Sequence, residues 1–185
     1  GYFGCRDAQG RFDAEKFAAQ AVAGADLYEE AAEDRLAYWA RRAREILHWE
    51  QDFTDVLDWS DAPFAKWFVG GTTNAAYNAL DRHVEAGHGD RVALIGNGRQ
   101  RTYKELSDWT NRIARTLVED YGVKPGNRVL IRSGNNPALV AAWLAATKAG
   151  AVVVNTMPML RAGELSKIVD KAEIALALTD SRIAD

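Results

Sequence analysis

One stretch limits what this chain can fold into: RVLIRSGNNPALVAAWLAATKAGAVVVN, from Arg128 to Asn155. Val129, Leu130 and Ile131 form a short β-branched and apolar run between polar neighbours, the pattern of a strand covered on both faces. Gly134-Asn135-Asn136-Pro137 breaks the run, with Asn136 suited to an N-cap and Pro137 to the first helical position. From Ala138 to Ala146 nearly every residue is apolar, which predicts a helix buried all round. Gly150 supplies a left-handed stop, and Ala151 to Val154 a second strand. Strand, helix and strand in this order make a right-handed βαβ unit in a parallel sheet.

The other segments fall around that unit. Residues 1–24 are weakly patterned, whereas Asp34 to Trp49 places Leu36, Trp39, Ala43, Ile46 and Leu47 on one helical face. Asp52 to Gly71 is rich in aromatics, with Trp59, Phe64, Trp67 and Phe68, and Pro63 and Gly70-Gly71 argue against one continuous helix there. An extended segment clamped onto a larger body is expected, its aromatics packed in a core; a ligand platform is the alternative. Thr73 to Ala86 returns to helical period and stops at Gly87 and Gly89. Residues 91–95 and 100–103 pair as a hairpin about Gly96-Asn97-Gly98. Thr102 and Glu105 form a capping box for a helix that turns Leu106, Trp109, Ile113 and Leu117 inward. After the loop at residues 156–160 comes a helix carrying Leu165, Ile168 and Val169, then a third parallel strand at Ile174 to Leu178. The fold class is α/β.

Composition narrows the partners. The chain has 185 residues, 48% hydrophobic and 26% charged, as in a globular protein with one ordinary core. A net charge of −3 and a pI near 5.7 give no electrostatic reason to expect nucleic acid. Arg41-Arg42-Arg44 and Arg99-Arg101 are short clusters that read as solvated faces. Cys5 is the only cysteine, which fits a reducing cytoplasm. No signal peptide is legible, and the longest apolar run, Ala138 to Val154, contains Lys148 and Gly150 and is too short to span a bilayer. The first residue is Gly1, and residues 180–185 read as the start of another helix, so a piece of a longer chain is expected.

Spacing alone assigns no catalytic residue. No G-x-x-x-x-G-K-[ST] loop is present, Gly96-x-Gly98 sits in a hairpin turn, and no serine lies in a G-x-S-x-G elbow. His48, His83 and His88 do not converge at metal-ligand spacing, so no metal site is expected. Asp81-Arg82-His83 are consecutive on a helix and point different ways, which suits capping or surface roles.

Two sets of motifs carry a resemblance. From about Leu27 to Ala93, VLDWSDAPFAKWFVGG followed by TNAAYNALDRHVEAGHGDRVA resembles the amino-terminal segment of acetyl-CoA synthetase and its short-chain relatives. From about Leu94 onward, TYKELSDWTNRIARTLVEDYGVKPGNRVLIRSGNNP through TMPMLRAGEL is more similar to aryl-CoA ligases of the benzoate and 2-aminobenzoate type. Both groups are adenylate-forming. The change of affinity near residue 94 leaves open a hybrid relative or a joined fragment. The resemblance implies a partial amino-terminal domain of the adenylate-forming fold: residues 1–88 as a helical and extended segment, and residues 89–185 as the start of the AMP-binding domain. It implies ATP, CoA and Mg²⁺ as cofactors of the parent protein and a small carboxylate as substrate, activated as acyl-adenylate and passed to the CoA thiol. None of these cofactors is expected to bind tightly to this chain alone.

The family's phosphate loop, ribose-binding aspartate and catalytic lysine have no counterpart among these residues, so none is carried over. Where acetyl-CoA synthetases have a Phe-Gly-Gly-like turn that contacts CoA, this chain has Asn155-Thr156-Met157, as the aryl ligases do. Arg182 lies near where some relatives hold the CoA 3′-phosphate, a role suited to a bidentate guanidinium; a solvent-facing arginine is the alternative. Two function classes stay open: part of an ATP-dependent acid–thiol ligase, or a non-catalytic module of the same fold that binds an acyl-CoA or a protein.

Overall fold

The computed structural model describes residue 9, residues 11–20 and residues 23–183. The chain separates into two compact units, residues 1–71 and 72–185.

The first unit contains α1 (Ala14–Gln20), α2 (Ala25–Glu33), α3 (Arg35–Ile46), β1 (Asp55–Asp58) and β2 (Lys66–Val69). Asp34 starts α3 by accepting hydrogen bonds from the backbone N–H groups of Leu36 and Ala37 at 3.0 and 2.9 Å. The basic cluster on α3 is paired: Arg41 with Glu30 of α2 and with Glu45, Arg42 with Glu45, and Arg44 with Asp52. These pairs are exposed, so solvent and salt screen them and they contribute little to stability. The strands form an antiparallel hairpin, Leu57 opposite Trp67.

The aromatics of residues 52–71 divide in a way the sequence reading did not expect. Phe68 packs with Trp49 and the buried Phe53, ring centroids 5.0–5.6 Å apart. Trp59, Phe64 and Trp67 are exposed. Trp59 and Phe64 stand in the loop between β1 and β2, and among the described residues no element of this unit covers them. Gly71 is required at its position: a Cβ there would come within 2.6 Å of the Trp49 ring.

The second unit begins with a helical path over residues 75–88 that contains two π-helical turns, Tyr77–Asp81 and Val84–His88. It continues through β3 (Val92–Gly96), β4 (Arg99–Thr102), α4 (Tyr103–Glu119), β5 (Arg128–Arg132), α5 (Pro137–Lys148), β6 (Val152–Thr156), α6 (Ala162–Ala172) and β7 (Ile174–Thr179), and ends in a 3₁₀ turn at Ser181–Ile183. β3 and β4 form the expected hairpin, with positive φ at Asn97 and Gly98. The Thr102–Glu105 capping box is formed: the Glu105 N–H donates to Thr102 Oγ1, and the Thr102 N–H to Glu105 Oε2.

The sheet is parallel with order β6-β5-β7. Central β5 is sealed from Val129 through Arg132, as a strand covered on both faces requires. Leu117, Val123, Val129, Ile131, Ala145 and Ala146 form one buried cluster; Ala76, Leu80, Leu106, Ala141 and Leu144 form another. α4 and α5 thus join the sheet to the π-helical segment. α5 differs from its expectation of burial all round: Ala141, Leu144, Ala145 and Ala146 are sealed, but Ala138 is exposed and Trp143 is 37% exposed. Among the described residues no helix is long and apolar enough to cross a membrane. The α/β architecture is the one the sequence implied.

Candidate functional site

In open parallel α/β sheets ligands collect at the carboxyl ends of the strands. Here that edge opens into a cleft of about 670 Å³, bounded by the ends of β5 and β7, the start of α5 and the hairpin. Its floor is apolar, from Ile131, Leu139, Ala142 and Leu178.

Local chemistry sets each wall. Asn136 caps α5: its Oδ1 accepts from the Leu139 N–H at 3.0 Å, while its Nδ2 donates to Ser133 Oγ at 3.0 Å. Pro137 at the first helical position abuts the hairpin. A Cβ on Gly96 would lie 2.9 Å from Pro137 Cγ, so only glycine lets the two come this close. The hairpin then presents Arg99 and Arg101 to the cleft, with the Arg101 guanidinium 4.8 Å above the Trp109 ring.

Arg182 lines the same cleft from the opposite side. Its Nε and Nη2 donate to the two carboxylate oxygens of Asp180 at 3.0 and 2.6 Å. The Arg182 side chain, followed by its backbone N–H, holds the Asp180 carboxyl down to about 2, and Asp180 raises the Arg182 guanidinium above its ordinary range. The pair is therefore charged at neutral pH and separates only as pH falls through about 2. Three arginines face one carboxylate around the cleft, a balance suited to an anion. Arg99 is exposed, as the solvated-face reading expects, and Arg101 is half-buried; their grouping with Arg182 was not legible, because more than seventy residues separate them from it.

Asp81 also departs from its expectation of a capping or surface role. It joins three elements: Oδ1 accepts from Lys148 Nζ on α5 at 2.7 Å and from Ser107 Oγ on α4 at 2.9 Å. Lys148 also donates to Asn111. Among the described residues no group of three His, Cys, Asp or Glu side chains could hold a metal ion.

Residues 80–185 match the model of the AMP-binding enzyme family, and residues 25–79 that of the acetyl-coenzyme A synthetase N-terminus. Acetyl-coenzyme A synthetase of Mycolicibacterium smegmatis is 46% identical over 169 residues, covering 88% of this chain and 18% of that protein. The Mycobacterium tuberculosis protein of the same name is 51% identical over 140 residues, 72% of this chain and 21% of its own. That of Streptomyces avermitilis is 42% identical over 167 residues, 88% of this chain and 25% of its own. The chain thus spans a quarter or less of the length of these relatives.

Proposed function

The chain belongs to the AMP-binding enzyme family, and we propose that it forms the amino-terminal part of an ATP-dependent acid–thiol ligase. The whole protein would activate a carboxylate as its acyl-adenylate, releasing pyrophosphate, and transfer the acyl group to CoA, releasing AMP. The observation that carries this reading is the unbroken run of two matched families over residues 25–185, in the order found in acetyl-coenzyme A synthetases. A 169-residue match necessarily runs through residue 94, which supports one continuous gene over a joined fragment. We also propose that residues 1–88 serve as the amino-terminal segment and residues 89–185 as the start of the adenylation domain. The cytoplasm is the proposed compartment, supported by the single cysteine.

Among the described residues no glycine-rich loop cradles a triphosphate, and no carboxylate cluster suits Mg²⁺. The cleft with Arg99, Arg101 and Arg182 does suit a phosphate of CoA, which when bound supplies the thiol that accepts the acyl group. Arg182 would bind that phosphate while Asp180 holds the other side of its guanidinium. Arg182→Ala in the full-length protein is expected to raise KM for CoA about tenfold, the loss of one charge-assisted bond. Carboxylate-dependent ATP–pyrophosphate exchange should be unchanged. An unchanged KM, or an equal loss of both half-reactions, would remove Arg182 from this role.

The preferred substrate class is a short acid such as acetate, on the strength of the matched relatives. A second reading, an aromatic acid, rests on Asn155-Thr156-Met157 and the TMPMLRAGEL loop. Product analysis with acetate, propionate, benzoate and 2-aminobenzoate decides between them. If none yields an acyl-CoA and AMP, a non-catalytic module of this fold becomes the better description.

A further inference from the structure

We infer that Arg132 is a positioning residue, whose buried guanidinium fixes the two loops leaving β6 and β7 and, through the second, the placement of Arg182. Its kinetic consequence rests on the ligase reading above; its structural consequence does not.

Arg132 ends the central strand, in register with Thr156 of β6 and Thr179 of β7. The rest of β5 from Val129 is apolar, and Arg132 is only 4% exposed. Burial of a guanidinium is costly unless its donors are satisfied. Among the described residues no carboxylate pairs with it. Instead Nη2 donates to the carbonyls of Pro158 and Leu160 at 2.8 and 3.1 Å, and Nη1 to the carbonyl of Ile183. The Asp180 N–H returns a bond to the Arg132 carbonyl at 3.0 Å. One side chain thus holds the loop after β6 and the turn after β7, and Ile183 is the residue next to Arg182.

A planar fork explains why arginine stands here. Its donors diverge in fixed directions, so two loops can be held at a fixed separation. Lysine is a point donor on a flexible stem and cannot hold both sets of carbonyls in that geometry. A purely structural need at this position could be met by an apolar residue, which often stabilises a buried site more than a charge does. Among the described residues the remaining Nε–H is buried without a partner, as is Thr156 Oγ1. Such unsatisfied groups lower stability and are retained where geometry at a site matters.

The test uses the full-length protein with Arg132→Met and Arg132→Lys. Amide hydrogen exchange is followed in peptides covering 157–161 and 180–183, without substrate. Arg132→Met is expected to speed exchange in both segments about tenfold or more, with β5 and α5 unchanged, because local opening is decoupled from global unfolding. Arg132→Lys should restore protection in one segment but not both. Kinetically, KM for CoA should rise about tenfold in the methionine variant, as for loss of Arg182 itself, with ATP–pyrophosphate exchange preserved. Unchanged exchange in either segment overturns the inference. So does faster exchange spread over the whole sheet, or full protection in the lysine variant. A wild-type protein inactive with every carboxylate would sink the ligase reading alone, since the exchange measurement stands without it.

Discussion

Leu117→Ala is expected to destabilise the sheet-bearing unit by about 3–5 kcal/mol, whereas Val118→Ala, one residue on, should change stability by less than about 0.5 kcal/mol. Leu117 is 1% exposed and packs with Val123, Val129, Ile131, Ala145 and Ala146. Truncation removes the transfer energy of the lost methyl groups and leaves a cavity walled by β5 and α5, whose alanines have no side chain long enough to fill it. Val118 lies on the same helix but is 46% exposed. Urea unfolding of both variants reads the contrast directly. Equal midpoints for the two would show that α4 does not seat against the sheet through Leu117.

Lys148→Met is the second large effect. Asp81 is 12% exposed at its side chain, and Lys148 26%. Among the described residues, removing the ammonium leaves a carboxylate with one oxygen held by Ser107 alone and the other, Oδ2, buried without a partner. Breaking a fully buried pair costs about 3–5 kcal/mol; the partial exposure of Lys148 reduces the expected loss to about 2–3 kcal/mol. Asp81→Asn combined with Lys148→Met should recover part of this, because the uncompensated charge is gone. A double-mutant cycle is expected to give a coupling of about 1–2 kcal/mol. Additive losses would mean that the pair does not bind the π-helical segment to α5.

The sequence was most legible where structure is decided locally. Asn136-Pro137 caps α5, Thr102 and Glu105 close their box, and Asn97-Gly98 turns the hairpin, all through neighbours within three residues. The strands of the sheet were readable from their β-branched runs, and the resemblance to two branches of one family supplied the rest of the architecture. What stayed hidden depends on tertiary approach. Helical period over Thr73 to Ala86 does not distinguish α from π turns; packing of Ala76 and Leu80 against α4 and α5 bears on that choice. Asp81 meets Lys148 across 67 residues. Arg132 reads in the sequence as a polar flank to an apolar strand, and only the returning loops at residues 158–160 and 183 turn that flank into a buried junction. Arg182 was singled out through resemblance alone, while the approach of the hairpin arginines to the same cleft was not legible.

Adenylation itself needs donors and cations arranged around a triphosphate. The described residues offer no such arrangement, so residues 1–185 alone are expected to show no ATP–pyrophosphate exchange above background. Carboxylate-dependent exchange of labelled pyrophosphate into ATP, measured on the full-length protein without CoA, reports acyl-adenylate formation and nothing later. Exchange that appears with acetate or propionate, or with benzoate or 2-aminobenzoate, and vanishes when the acid is omitted is the expected result. Absence of exchange with all four acids, from a folded full-length protein, would contradict it.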